Sequence, residues 1–180
     1  MTELRKIPNV GPRTEADLLA MGYTTIESLR GKTAEDLYAE ECRLRGCRID
    51  RCQLYLYRAV VYFVNTENPD PAKSRWWLWK DEFAEPSACG ARCVDCDRFP
   101  AMCGGCRKIR GKVFWLAYTG ESVCPIYGCC QGRGRRNCGG CAELPCHRFG
   151  KDPTVSDGEN AANMKRMLEN LAVYAAADVK

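Results

Sequence analysis

The chain predicts a mainly α protein in two parts: a helical domain over residues 1–82, and a small irregular cysteine-rich domain over residues 87–180 that a C-terminal helix closes. Three observations carry this reading. Apolar side chains through residues 54–64 recur at helical spacing on most of a helix surface. Eleven of the fourteen cysteines crowd between Cys89 and Cys146, in a glycine-rich stretch with few branched aliphatics that cannot close an ordinary core. Near the end, Ser156 and Glu159 stand at capping-box spacing ahead of Met164, Met167, Leu168, Leu171, Tyr174 and Ala175, which follow one helical stripe. A length of 180 residues allows one or two domains, and the change of composition near residue 87 favours two.

The first element opens at Ile7-Pro8-Asn9-Val10-Gly11-Pro12. Pro12 suits the first helical turn, where a missing N–H costs nothing, and Gly22 suits the position just past the end, so the helix runs to Met21. Ala16, Leu19 and Leu18 are expected to form its buried stripe. The block resembles the helix-hairpin-helix motif: an apolar residue, a tight glycine-containing hairpin, and a helix whose first N–H groups face a phosphate. That resemblance implies Lys6, Asn9, Gly11 and Arg13 as nucleic-acid contacts, with Lys32 in the turn that follows. Asn9 stands where a first glycine often sits, and asparagine tolerates the left-handed conformation.

Thr24 to Leu29 reads as a short helix, Arg30-Gly31-Lys32 as a turn, and Thr33 to Leu44 as a longer helix with Leu37 and Tyr38 inward. Thr33 and Asp36 mark its start, with acid in the first turn. After Asp50, the positions Leu54, Tyr57, Val61, Val64 and Leu56, Val60, Phe63 wrap one helix almost entirely, which makes it the centre of the domain. Residues 65–71 read as a loop, and Trp76-Trp77-Leu78-Trp79 as a packing segment closing the domain rather than a base-stacking platform, since no basic residue interleaves it. Cys42, Cys47 and Cys52 recur every five residues, a spacing that lines no helix face, and are read as buried small hydrophobes. Taken in order, LRKIPNVGPRTEADLLAMGYTTIESL, DRCQLYLYRAVVYF, NPDP and WWLWKD resemble the pathogenicity locus family, whose relatives carry the name mitomycin-resistance protein. The resemblance spans residues 3–82 and implies a helix-hairpin-helix fold with DNA contact and no established reaction.

The cysteine segment needs cross-links, either disulfides or metal. No secretory h-region and no transmembrane-length apolar run is present, so a reducing cytoplasmic setting is expected, where clustered thiols are more often metal ligands. Three CxxC pairs occur, Cys93/Cys96, Cys103/Cys106 and Cys138/Cys141, the last two enclosing Gly-Gly. Seventeen residues separate Cys106 from Cys124, and Cys124 with Cys129 makes a second pair with four residues between instead of two, close to the two-pair spacing of a four-thiolate zinc site. The expected cofactor is zinc, two or more ions, with an iron–sulfur cluster as the alternative because thiolates serve both metals. A partition consistent with the spacing places Cys103, Cys106, Cys124 and Cys129 in one site and Cys93, Cys96, Cys138 and Cys141 in the other, with Cys89 and Cys146 as substitutes. CGARCVDC, the CGGC at 103–106 and the run from Cys124 to ELPC resemble a family of small cysteine-rich domains of unknown function suspected of binding zinc. Cys89, Cys93, Cys96, Cys103, Cys106, Cys124, Cys129, Cys138, Cys141 and Cys146 fit that pattern, and Cys130 is extra.

Formal net charge is +4, with thirteen basic and eleven acidic side chains in residues 1–80 but ten and four in residues 87–150. Compensation of thiolate charge is the preferred reading of that excess, and a nucleic-acid surface the alternative. His147, the single histidine, directly follows Cys146, and adjacent residues rarely ligate one ion together. There is no Ser–His–Asp set, phosphate loop or HExxH; Cys89-xxx-Cys93-xx-Cys96 has the cluster-binding spacing of radical S-adenosylmethionine enzymes, but the segment is far too small for their barrel. The sequence therefore predicts a non-enzymatic DNA-binding adaptor with a structural metal module. Redox and protein-interaction roles are the alternatives, the latter through a dimerising or partner-binding last helix.

Overall fold

The computed structural model describes residues 2–177, with side chains through residue 173. Among these residues the chain is helical without strands, and it divides into two compact units, Met1–Asp81 and Glu82–Lys180. No helix among them is long and apolar enough to cross a membrane.

The first unit opens with a 3-10 turn, Glu3–Lys6, capped by the Thr2 side chain. Helix α1, Pro12–Ala20, follows with Pro12 in its first turn. Its buried residues are Thr14, Glu15 and Leu18. Ala16 and Leu19 are instead exposed, which corrects the expected stripe. The reason is rotational: at 3.6 residues per turn Ala16 lies roughly 200° around the helix from Leu18. The inward face is set by Leu18, which joins Leu4, Ile7 and Val10 in the core, and by Glu15, whose carboxylate accepts from the Thr2 N–H at 2.5 Å and hydroxyl at 2.8 Å.

Helix α2, Ala34–Arg45, begins as expected, with Thr33 accepting from the Asp36 N–H, and ends at left-handed Gly46. Helix α3, Arg51–Asn65, starts at Asp50 and is the centre of the unit, burying Leu54, Tyr57, Ala59, Val60 and Val64. Leu56, Val61 and Phe63 are half-buried around it. Because Gly46 stops α2, the stretch to Asp50 runs along the surface; Cys47 and Cys52 are exposed and Cys42 half-buried, so the three are not the small core hydrophobes expected.

The tryptophan segment, Trp76–Trp79, is a 3-10 turn in which Trp79 is buried. The Trp79 indole N–H donates to the Lys73 carbonyl at 2.9 Å, and its ring lies 5.0 Å from that of Tyr62. Trp77 departs from the packing role, at 46% exposure and with the Arg75 guanidinium over its ring. Asp81 ties the segment's end to α3, accepting from Arg51 and Arg58 and from the Tyr55 hydroxyl. Burial pushes this carboxyl up, but those three donors outweigh it and hold it below the usual range.

The second unit has little aliphatic core. Short helix α4, Asp81–Ala84, contributes Phe83, whose ring meets Phe99 at 4.9 Å. Helices α5, Leu116–Thr119, and α6, Pro125–Gly132, follow. A second cluster joins Ala88, Ile126 and Leu171 to the thiols of Cys124, Cys130 and Cys138. Leu171 comes from helix α7, Asp157–Ala177, and Ser156 and Glu159 form the expected reciprocal cap at its start. Met164, Met167 and Leu168 are half-buried and Leu171 is buried, so this face covers the unit; Tyr174 and Ala175 of the expected stripe lie outside the described side chains.

The helix docks over Gly90, where Asn170 donates to the Gly90 carbonyl at 2.9 Å. Gly90 has φ +93, and a Cβ there would collide with the Met167 carbonyl and stand 2.8 Å from Leu171 Cγ. Replacing Gly90 with alanine is therefore expected to undock α7, at about 1–2 kcal/mol for the left-handed backbone before any clash. Limited proteolysis checks this: α7 should be released early from the variant and late from the parent, and equal protection would contradict the docking.

Candidate functional site

Two sites are built by local chain geometry. The first is the hairpin before α1. Leu4, Ile7 and Val10 point into the core and anchor it, while Asn9 turns the chain with φ 69. The Asn9 amide donates to the Ser74 carbonyl at 2.5 Å, which ties it to the fold and leaves one of its two N–H donors free. Gly11 caps α1 in extended geometry, and a Cβ placed there would meet nothing within 4 Å. Among the described residues the N–H groups of Arg13 and Thr14, in the first turn, have no acceptor. Lys6 and Arg13 are exposed beside this start. Lys32 is exposed too, but its ammonium lies 5.7 Å from the Tyr23 ring centroid, and no hydrogen bond or ion pair among the described residues links it to the hairpin. The structure thus gathers Lys6, Asn9, Gly11 and Arg13 on one turn and does not tie Lys32 to it.

The second site is the thiol array. All fourteen cysteines are free; in the second unit Cys124, Cys130 and Cys138 are buried and the others half-buried. Each Gly-Gly knuckle bends through a left-handed second glycine, Gly105 with φ +90 and Gly140 with φ +69. The segment between the first two CxxC pairs doubles back, with Met102 and Cys103 N–H groups both donating to the Arg98 carbonyl at 2.8 and 2.9 Å. The Cys106 N–H thereby reaches the Cys93 thiol. Cys124 sits at the start of α6, where the N–H groups of Ile126 and Tyr127 donate to its sulfur.

Neighbourhoods follow from these turns. Burial pushes the Cys106 thiol up to about 12, reinforced by Cys89, Cys124, Cys93 and Cys103 around it. Burial likewise raises Cys138 to about 12, with Cys130, Cys141 and Cys146 adding to it. Cys130 is raised by burial and also feels Cys129, Cys141 and Cys89. So Cys93 neighbours Cys96, Cys103 and Cys106, and Cys138 neighbours Cys130, Cys141 and Cys146. The doubling-back at residues 97–102 brings Cys103 and Cys106 beside Cys93, which the partition drawn from spacing places in a different site. Among the described residues no group of three or more histidine, cysteine, aspartate or glutamate side chains closes far enough to hold an ion. The donors are of the right chemistry for zinc or iron, and coordination would require these neighbouring thiols to turn towards a common point. His147 is exposed beside half-buried Cys146.

Cys130, the extra cysteine, is 2% exposed, and its sulfur lies 3.6 Å from that of Cys138. Its spacing of four from Ile126 on α6 is the sequence signal for an inward position. A cavity of about 340 Å³ opens beside Glu82, Ala88, Arg107, Tyr127, Gln131 and Arg136. Glu85 occupies both of its arginines.

The fold and these sites define a helical protein of two units, one opened by a tight hairpin, the other built around free thiols. Residues 1–84 match the family described as Pathogenicity locus. Residues 98–151 match the family described as Protein of unknown function (DUF3795), a span that takes in Cys103 through Cys146 and begins after Cys89, Cys93 and Cys96. No curated protein and no solved structure matches the chain.

Proposed function

We propose that the protein is a non-enzymatic DNA-binding adaptor whose second unit is held by thiolate-bound metal, zinc foremost. The observation that carries the metal reading is the array itself: uncrosslinked thiols neighbour one another where the unit has few aliphatics, and main-chain N–H groups are aimed at the sulfurs of Cys93 and Cys124. Burial raises both thiols and these N–H groups oppose it, so a bound cation would supply what favours thiolate, the ligating form. Cys93, Cys96, Cys103 and Cys106, with Cys89 and Cys124 beside them, would hold one ion; Cys129, Cys138, Cys141 and Cys146, with Cys130 at hand, would hold another. Elemental analysis of freshly purified protein tests this. Colourless protein carrying zinc supports it, brown protein absorbing near roughly 400 nm turns the assignment to an iron–sulfur cluster, and metal-free folded protein refutes both.

DNA binding rests on the hairpin: the open surface at Gly11, the unpaired N–H groups of the α1 start, and Arg13 beside them. Gly11→Trp should fold, since the space is open, and block approach of a phosphate. Arg13→Glu should weaken duplex binding and lower the salt slope by about 0.9, the share of one phosphate that is no longer neutralised. Duplex binding by both variants at the parent's strength would reduce the hairpin to a packing element.

A further inference from the structure

We propose that residues 98–118 of the second unit form a surface for single-stranded nucleic acid, separate from the N-terminal hairpin and independent of it. From Arg98 to Gly120 the sequence contains Arg98, Arg107, Lys108, Arg110 and Lys112 and no carboxylate. The structure sorts the unit's cations into two kinds. Arg107 is engaged by Glu85 at 3.3 Å and by the Pro86 carbonyl at 2.5 Å. Arg92 pairs with Asp95. Arg133 pairs with Glu143 and lies beside the Cys129 and Cys141 thiols. Arg98, Lys108, Arg110 and Lys112 are exposed, and none has a carboxylate partner among the described residues.

Apolar groups stand among these free cations. The Arg98 guanidinium lies 5.7 Å from the Phe114 ring centroid, and its Nη1 is 3.4 Å from the Met102 sulfur. Met102 is 63% exposed, Phe114 37% and Tyr118 86%, the largest uncovered apolar side chains in the unit's cysteine segment. Just before Phe114 the chain makes a compact turn, with Ile109 N–H donating to the Gly105 carbonyl at 3.0 Å and Gly111 N–H to the Cys106 carbonyl at 2.9 Å. That turn carries Lys108 and Arg110, and Lys112, Phe114 and Tyr118 follow it in the chain, all exposed. Cations interleaved with exposed rings match a strand that offers phosphates and unstacked bases together. A duplex hides its base faces and would leave Phe114 and Tyr118 without a partner; an acidic peptide would use the cations alone.

Fluorescence anisotropy of the full-length protein with a labelled oligothymidylate, and with a duplex of equal length, tests the surface. Tyr118→Ala and Phe114→Ala should each weaken single-strand binding about tenfold and leave duplex binding unchanged. Tyr118 is almost fully exposed, so its removal leaves the fold intact even if Phe114→Ala perturbs it. Arg110→Gly combined with Lys112→Glu should flatten the single-strand salt slope by about 0.7 for each phosphate left unneutralised; glycine is chosen because Arg110 has φ 52. Arg13→Glu in the hairpin should leave single-strand affinity untouched, which separates failure of this surface from failure of the hairpin. Parent-like single-strand binding by the Tyr118 and Phe114 variants, an unchanged salt slope, or no single-strand binding by the parent would overturn the proposal.

Discussion

A strong chelator is expected to unfold residues 82–180 while α1, α2 and α3 stay folded. The second unit's core is thin: Phe83, Val94, Phe99, Leu116, Ile126 and Leu171 are its large buried hydrophobics, and thiols complete it. Without a cation the Cys93, Cys106 and Cys138 thiols, raised by burial and by their neighbours, stay protonated and hold the segments together no better than small apolar groups. Structural zinc contributes on the order of 10 kcal/mol in small domains, comparable with the total stability of a domain. The first unit has an apolar core of its own, from Leu4 through Val64, with no thiol in it. Helical signal from α6 and α7 should therefore disappear first on chelation, and limited proteolysis should leave a resistant fragment ending near Asp81. A second unit that stays resistant when metal-free would sink the metal reading and return attention to disulfides.

Replacing Glu41 with alanine is expected to cost the first unit about 2 kcal/mol, what leaving a buried hydroxyl without its acceptor costs. Glu41 is 2% exposed and Tyr57 fully buried. The carboxylate accepts from the Tyr57 hydroxyl at 2.6 Å and from Arg45 Nε at 2.7 Å, and Arg45 reaches on to Asp17 at 2.7 Å. Two linked side chains on α2, Glu41 and Arg45, thus join α1, α2 and α3. Burial first, and then the bond to Glu41, pushes the Tyr57 hydroxyl far up, so it stays protonated and donating. Alanine would leave that buried hydroxyl without its acceptor and Arg45 with Asp17 alone. Glutamine keeps an acceptor for Tyr57 and should recover part of the loss, about 1 kcal/mol. Urea midpoints of the parent and both variants check the ranking; an alanine variant as stable as the parent would show that the network adds nothing net.

Much of the first unit is legible in the sequence because its signals are local. Thr33 and Asp50 cap the helices they precede in sequence, and Gly46 ends one through its own backbone. The stripe of α3 repeats often enough to be unambiguous. Helix α1 is nine residues long, too short for periodicity to choose a face, and the choice falls to a buried carboxylate, Glu15, that hydrophobic patterning passes over. Cys47 and Cys52 escape a sequence reading for a similar reason: cysteine's usual burial is a tendency of composition, whereas the stop at Gly46 decides the exposure of Cys47 and a place off the buried face of α3 that of Cys52.

In the second unit the residue types alone establish that thiols, rather than aliphatics, organise the fold, and that the Gly-Gly pairs make knuckles. Composition also supplies the excess of positive charge. Which thiols are neighbours and which cations are free is decided only in three dimensions. The doubling-back through Arg98 brings Cys103 and Cys106 to Cys93, α6 carries Cys130 to Cys138, and Glu85 takes up Arg107 and Arg136 while Lys108, Arg110 and Lys112 remain facing solvent. Spacing along a chain limits how far two ligands can be apart, but loop closure costs only slightly more for a longer loop, so several pairings lie within reach of one another in free energy. The choice among them falls to side-chain packing and hydrogen bonds between segments distant in sequence, which no local pattern encodes.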